Sequence, residues 1–344
     1  MSRPVAIDLF CGAGGLSLGL KQAGFQVLAA VDVDPLAIKS FKANHRKTHV
    51  VLDDLRKVTA AGLRRELGLE RGALDLLAGC PPCQSFSALK TLNGRKSVRD
   101  KASKDLLFEF LRFVREFRPK AIMLENVPRL AKDPRILVLS KTLRKLGYRI
   151  KRKVLNAANY GVPQRRKRMI LIAVRNRFGQ PTFGTPWRPG RTVRDAIASL
   201  PAPGNSSDPL HNVTENRSKE VRDLIAKIPL NGGGRTSLPQ SEQLACHKRC
   251  DGFKDIYGRM SWDDVAPTIT GGCANPSKGR FLHPESNRCV TLREAALLQG
   301  FPGHYSISLD NGKFAAARLI GNALPPPFIR RHSLSIKATL SSHL

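Results

Sequence analysis

Cys83 sits in the segment Gly79-Cys80-Pro81-Pro82-Cys83-Gln84-Ser85-Phe86-Ser87, directly after the apolar run Ala73-Leu74-Asp75-Leu76-Leu77-Ala78. The run reads as a short buried strand, and the two prolines fix the backbone while removing two donors. The thiol is therefore carried on a stiff turn at a strand end, where it can serve as a nucleophile; a buried structural cysteine is the competing reading. A second apolar run, Ala121-Ile122-Met123-Leu124, delivers Glu125-Asn126-Val127, and the cluster Gln164-Arg165-Arg166-Lys167-Arg168 precedes a third. A carboxyl at Glu125 can hold or donate a proton to a polar substrate atom, or cap a helix, or pair with a cation. Arg166 and Arg168 can bind a carbonyl oxygen or a phosphate. Thiol, carboxyl and guanidinium delivered by three strands are the parts of a covalent mechanism with electrostatic support.

A second constellation lies near the N-terminus, in Asp8-Leu9-Phe10-Cys11-Gly12-Ala13-Gly14-Gly15-Leu16-Ser17. Here a strand passes into a helix over Gly12, Gly14 and Gly15, whose missing side chains let the backbone approach a nucleotide-type cofactor. The spacing is not that of the dinucleotide fingerprint, because no glycine stands at the sixth position after Gly12-x-Gly14. Asp32, at the end of the next apolar run, is placed to accept from ribose hydroxyls or to cap the helix starting near Pro35, and Asp34 is the better cap. Gly15-Leu16-Ser17-Leu18-Gly19 also fits the nucleophile-elbow pattern of serine hydrolases. That elbow needs its serine on the strand-to-helix turn, whereas Ser17 falls one step into the helix.

These groups require strands that end along one edge. Apolar runs at 5–10, 26–31, 49–52, 73–78, 121–124, 149–155 and 169–174 alternate with helical spacing at 35–44, 59–67 and 104–117, and with a helix ending at Gly147. Such alternation predicts an α/β, doubly wound sheet. From 186 to 256 the chain is rich in Gly, Pro, Asn and Ser and shows no sustained period, which predicts a loop-rich second domain. The expected division is residues 1–185 and 318–344 for the first domain and 186–317 for the second.

The 344 residues carry 58 Lys+Arg against 27 Asp+Glu, a net charge of +31, which points to a polyanionic partner rather than to a small metabolite. Between 134 and 194 there are seventeen Lys or Arg and no Asp or Glu. Seven cysteines without a disulfide-like spacing, no signal peptide and no long apolar run predict a reducing cytoplasm and no membrane association. No Cys-x-x-Cys pair has a matching second half, so no metal site is expected.

The Pro-Cys-Gln, Glu-Asn-Val and Gln-x-Arg-x-Arg segments, in that order, resemble the DNA cytosine carbon-5 methyltransferase family, prokaryotic type. So do Thr291-Leu292-Arg293-Glu294-Ala295-Ala296, Leu298-Gln299-Gly300-Phe301-Pro302 and Gly321-Asn322-Ala323, and the likeness runs from Ile7 through Phe328. The resemblance implies a Rossmann-like domain binding S-adenosyl-L-methionine and a smaller, irregular target-recognition domain over 186–317. It implies Phe10 against the adenine, Asp32 on the ribose where the family more often has Glu, Asp54 on the adenine amino group, and Asn322 closing the pocket. Gly12, Gly14, Gly15, Val33, Leu55, Pro82 and Leu106 complete the implied cofactor contacts. It makes Cys83 the thiolate that adds to cytosine carbon-6, Glu125 the partner of the ring nitrogen and exocyclic amine, and Arg168 a neighbour of the base carbonyl and of Glu125. Arg166 is expected at the cofactor–base junction and the backbone.

The target base must leave the duplex stack to react, and residues 85–103, with Lys90, Arg95, Lys96, Arg99 and Lys101 against Asp100, are expected to close over it. Cys80 stands where the family usually has Gly. The Cys-Phe-Thr tripeptide of the tRNA-modifying relatives is absent, which favours duplex DNA as substrate over tRNA. A catalytically silent DNA-binding protein on the same fold would not need Cys83, Glu125 and Arg168 together. The expectation is thus a monomeric methyltransferase, solitary or accompanied by a restriction endonuclease that acts independently.

Overall fold

The computed structural model describes residues 3–82, 106–187, 189–213, 215–243 and 254–342. They form two compact units: Met1–Tyr160, Lys167–Trp187 and Leu324–Leu344 make the first, Gly161–Arg166 and Arg188–Ala323 the second. The boundaries expected at 185/186 and 317/318 therefore fall at 187/188 and 323/324, and the short segment ending at Arg166 belongs to the second unit.

The first unit holds the seven strands found among the described residues: β1 (Val5–Leu9), β2 (Gln26–Asp32), β3 (His49–Leu52), β4 (Leu76–Gly79), β5 (Ala121–Asn126), β6 (Tyr148–Asn156) and β7 (Lys167–Arg175). Their order in the sheet is β3-β2-β1-β4-β5-β7-β6. Strands β1 to β5 pair in parallel, and β7 runs antiparallel to β5 and β6. Between them lie α1 (Gly15–Gln22), α2 (Pro35–Asn44), α3 (Ala60–Glu66), α4 (Leu106–Phe117) and α5 (Pro134–Lys145). Alternation along the strands sorts the helices. Ile7, Leu9, Val31, Leu77, Ile122 and Leu124 share one core cluster with residues of α3, α4 and α5, while Ala30 packs with Ile38 and Phe41 of α2.

Helix α4 shows how the local pattern works. Its buried positions Leu107, Phe110, Leu111, Val114 and Phe117 recur at helical spacing, and Arg118, in the left-handed region before Pro119, ends it. The chain winds outward from β1 to β3 and then returns to the other side of β1 at β4. That reversal sets the C-terminal ends of β1 and β4 side by side, with Leu9 opposite Gly79, the place where sheets of this kind bind ligands. Helix α10 (Pro326–Ser341) packs on α1.

The second unit is not wholly irregular. It contains α6 (Val193–Ile197), α7 (Lys219–Lys227), α8 (Leu292–Leu298) and α9 (Gly312–Asn322). The first two fall inside the stretch that lacks a sustained period, because they are too short to show one, and they are started instead by side-chain caps at Thr192 and Ser218. Leu224, Ile225, Ile228, Leu238, Tyr257, Leu282 and Cys289 form a core of their own. Among the described residues no helix is long and apolar enough to cross a membrane.

Candidate active site

The glycine turn leaves β1 through three left-handed residues, Phe10 (φ 65°), Gly12 (φ 54°) and Gly14 (φ 97°). For Phe10 this conformation costs roughly 1–2 kcal/mol. It is held because the Phe10 and Cys11 amides both donate to Val31 O, at 2.9 and 3.1 Å. Asp32 braces the same turn. Its Oδ2 accepts from Gly12 N at 2.7 Å and its Oδ1 from Asp34 N at 2.9 Å, and burial raises its proton affinity against the pull of those amides. Asp34, not Asp32, caps α2, accepting from Leu36 N and Ala37 N. A Cβ on Gly12 would meet nothing within 4 Å, whereas one on Gly15 would lie 2.3 Å from Leu324 O. Open space over Gly12 and a closed helix start at Gly15 are what a ligand-bearing turn needs.

Val33 is 63 % exposed although apolar. Asp54 pairs with Arg56, Oδ1 accepting from Nε at 2.9 Å, and that guanidinium holds its carboxyl below the usual range. Leu55 turns its side chain into the core, leaving only its main chain for a ligand. Pro82 is exposed and Leu106 half-buried at the start of α4. Asn322 ends α9 in the second unit. Ser17 is buried and donates to Asp8 Oδ2 at 2.6 Å, so it fastens α1 to β1 rather than presenting a nucleophile.

At the end of β5, Glu125 is buried to 1 % exposure. Arg168 Nε lies 2.9 Å from its Oε1, an ion pair across the β5–β7 ladder, and the Cys80 thiol donates to Oε2 at 2.8 Å. No hydrogen bond is directed at Oε1, which leaves that oxygen an acceptor in reserve. Next along the strand, Asn126 Nδ2 donates to Pro81 O at 2.9 Å, tying the Cys80-Pro81-Pro82 turn to β5. Cys83 and the basic segment 85–103 lie outside the described residues.

Arg166, grouped above with the catalytic side chains, is placed differently. It belongs to the second unit, is buried, and donates from Nη1 to Ile269 O at 2.9 Å and from Nη2 to Gly321 O at 3.0 Å. Only Lys167 separates it from Arg168, but Lys167 begins β7 and the chain passes from one unit to the other there. Its observed partners are main-chain carbonyls, so its geometry is that of a support. Sequence reasoning did not single out Asp8 as a site residue or pair Cys80 with Glu125. Both meet their partners through tertiary packing, and the only signal was Cys80's departure from the usual Gly.

A doubly wound sheet with a reversed seventh strand, a glycine turn braced by a strand-end carboxylate and a buried Glu–Arg pair at the end of β5 define an enzyme of the methyltransferase class. The family model for C-5 cytosine-specific DNA methylases matches residues 5–338, and the chain belongs to that family. It is 37 % identical over 349 residues to Type II methylase M.HgiDII of Herpetosiphon aurantiacus, covering 97 % of this chain and 95 % of that protein. To Type II methyltransferase M1.HphI of Haemophilus parahaemolyticus it is 34 % identical over 326 residues, covering 93 % and 83 %. Among solved structures it resembles a protein described as an E. coli prophage-encoded DNA modification methyltransferase, with TM-score 0.72 and 25 % identity over 98 % of this chain and 99 % of that one. The activity is that of a DNA (cytosine-5)-methyltransferase.

Proposed function

We propose that the chain methylates cytosine carbon-5 within a specific duplex sequence, through a covalent bond from Cys83 to carbon-6 of a base turned out of the helix. Carbon-5 of cytosine is a poor nucleophile; thiolate addition at carbon-6 makes it enamine-like. Glu125 hydrogen-bonds the ring nitrogen and the exocyclic amine as negative charge develops, and Arg168 holds the Glu125 carboxyl and meets the base carbonyl. Loss of the carbon-5 proton and expulsion of Cys83 then restore the aromatic ring.

S-adenosyl-L-methionine, bound by the turn from Phe10 to Gly15 with Asp32, Val33, Asp54, Leu55, Pro82 and Leu106, would supply a sulfonium methyl group. The open space over Gly12, the exposed apolar Val33 and the amide-braced Asp32 fit an adenosine. Arg166 acts as a positioning residue. Target choice resides in the second unit, and the Type II relatives support a paired restriction endonuclease as the biological setting.

The observation that carries this reading is the buried Glu125–Arg168 pair, held beside the turn that leads into Cys83. The test is a duplex with 5-fluorocytosine at the methylated position, since fluorine cannot leave as the proton does. A denaturation-resistant adduct that requires both cofactor and Cys83 is expected. Equal trapping by Cys83→Ser would overturn the mechanism.

A further inference from the structure

We infer that Cys80 is a positioning residue for Glu125: its thiol, donating to Oε2, fixes the carboxyl's orientation before the base arrives. The inference rests on the reading of Glu125 as the base-binding carboxyl. Cys80 Sγ lies 2.8 Å from Oε2, opposite Arg168 Nε at 2.9 Å from Oε1, so each oxygen has its own neighbour. Among the described residues these two are the ionisable side chains in contact with Glu125, Cys80 from the turn after β4 and Arg168 from β7; β5 itself adds the uncharged Asn126.

The thiol is held in place from both sides. Cys80 N donates to Leu9 O at 3.3 Å, and the next carbonyl, that of Pro81, accepts from Asn126. Before it, Gly79 is closed in, since a Cβ there would lie 2.7 Å from Leu9 O and 3.0 Å from the Phe110 ring. The backbone of the turn therefore cannot drift from the end of β5. A glycine at position 80, the usual family residue, would leave Oε2 without this donor.

Without the thiol the carboxyl keeps Arg168 on one oxygen and loses the donor that fixes the other. The experiment is the single-turnover methylation rate with saturating cofactor, for wild type, Cys80→Ala, Cys80→Gly, Cys80→Ser, Glu125→Gln and the double variant Cys80→Ala with Glu125→Gln. Cys80→Ala and Cys80→Gly should slow methylation about tenfold, the scale of one hydrogen bond to a carboxyl group. Cys80→Ser should recover most of the rate, and cofactor affinity should stay unchanged throughout. In the Glu125→Gln background Cys80→Ala should cost little more, because the two residues act through one contact. Equal losses from Cys80→Ala in both backgrounds, or no recovery by serine, would mean a purely structural role and would overturn the inference. Glu125→Gln with wild-type rate would instead remove Glu125 from the mechanism and, with it, the basis for Cys80. The two alanine- and glycine-type variants guard against a folding defect in either one.

Discussion

Asp8 offers a prediction whose size can be worked from its surroundings. Its side chain is fully buried between β1 and α1, one oxygen accepts from Ser17 Oγ, and Oδ1 has no hydrogen bond. Burial, only partly offset by Ser17 and reinforced by the nearby charge of Asp32, raises its pKa from 3.8 to about 7. Between about pH 4 and pH 7 the unfolded chain has released this proton and the folded chain retains it. Unfolding then releases a proton, so rising pH favours unfolding: the contribution is complete below about pH 4 and lost as pH climbs through about 7. The shift corresponds to about 4 kcal/mol, or roughly 10 °C in the melting temperature of a unit this size. Asp8→Asn keeps an oxygen for the Ser17 hydroxyl and removes the titration. Melting curves of both proteins should therefore converge near pH 4 and separate toward pH 8, with the variant the more stable. Subtracting one from the other cancels the titrating groups that have no interaction with Asp8. Parallel curves from pH 4 to pH 8 would show that Asp8 is not held protonated, and the account of this buried acid would fail.

Three further substitutions separate the cofactor turn from the second unit. Gly15→Ala drives a Cβ to within 2.3 Å of Leu324 O, and Gly19→Ala puts one 2.6 Å from Ile329 Cβ. Both should lose about 1–3 kcal/mol of stability, but only Gly15→Ala should also weaken S-adenosyl-L-methionine in a calorimetric titration. In the second unit Arg259 is fully buried, with donors on Ile225, Ile228, His283 and Ser286 carbonyls at 2.7 to 3.1 Å and on Asn287. Arg259→Met strands these acceptors while relieving a buried charge, for a net loss of about 2–4 kcal/mol. Limited proteolysis should then cut within 188–323 while cofactor binding persists, and unchanged protease resistance would contradict this.

How far such features can be read without coordinates depends on their range. Helix α2 begins at Pro35 and ends at Asn44 because Asp34 caps it and apolar residues repeat within it, signals contained in a dozen residues. Strand β3 is equally local. The neighbours of Glu125 are not: Cys80 is 45 positions away, and nothing in either segment announces the contact. Arg166 and Arg168 look equivalent as members of one basic cluster. Their fates part because β7 starts between them, and strand starts are the least determined feature of an apolar run preceded by charge. Arg259 had no signal at all, being one cation among many in a basic chain, and only the convergence of carbonyls from α7 and the segment 283–286 distinguishes it.

The reversal of β7 explains why the Glu–Arg pair exists. In a wholly parallel sheet each strand begins at the edge opposite the ligand-binding ends, and the second residue of a nine-residue strand would lie roughly 20–25 Å from those ends. Arg168 is the second residue of β7. Run antiparallel, β7 begins where β5 ends: Glu125 pairs with Ile170 and Asn126 with Met169, so Arg168 projects just beyond, from the same face as Glu125. Its guanidinium needs only the reach of its own side chain to meet the carboxyl. β6, pairing antiparallel to β7 in turn, sets Leu155 opposite Arg168. A strand direction, rather than any local preference of the Gln-x-Arg-x-Arg segment, thus converts a basic cluster into one partner for Glu125 and one support within the second unit.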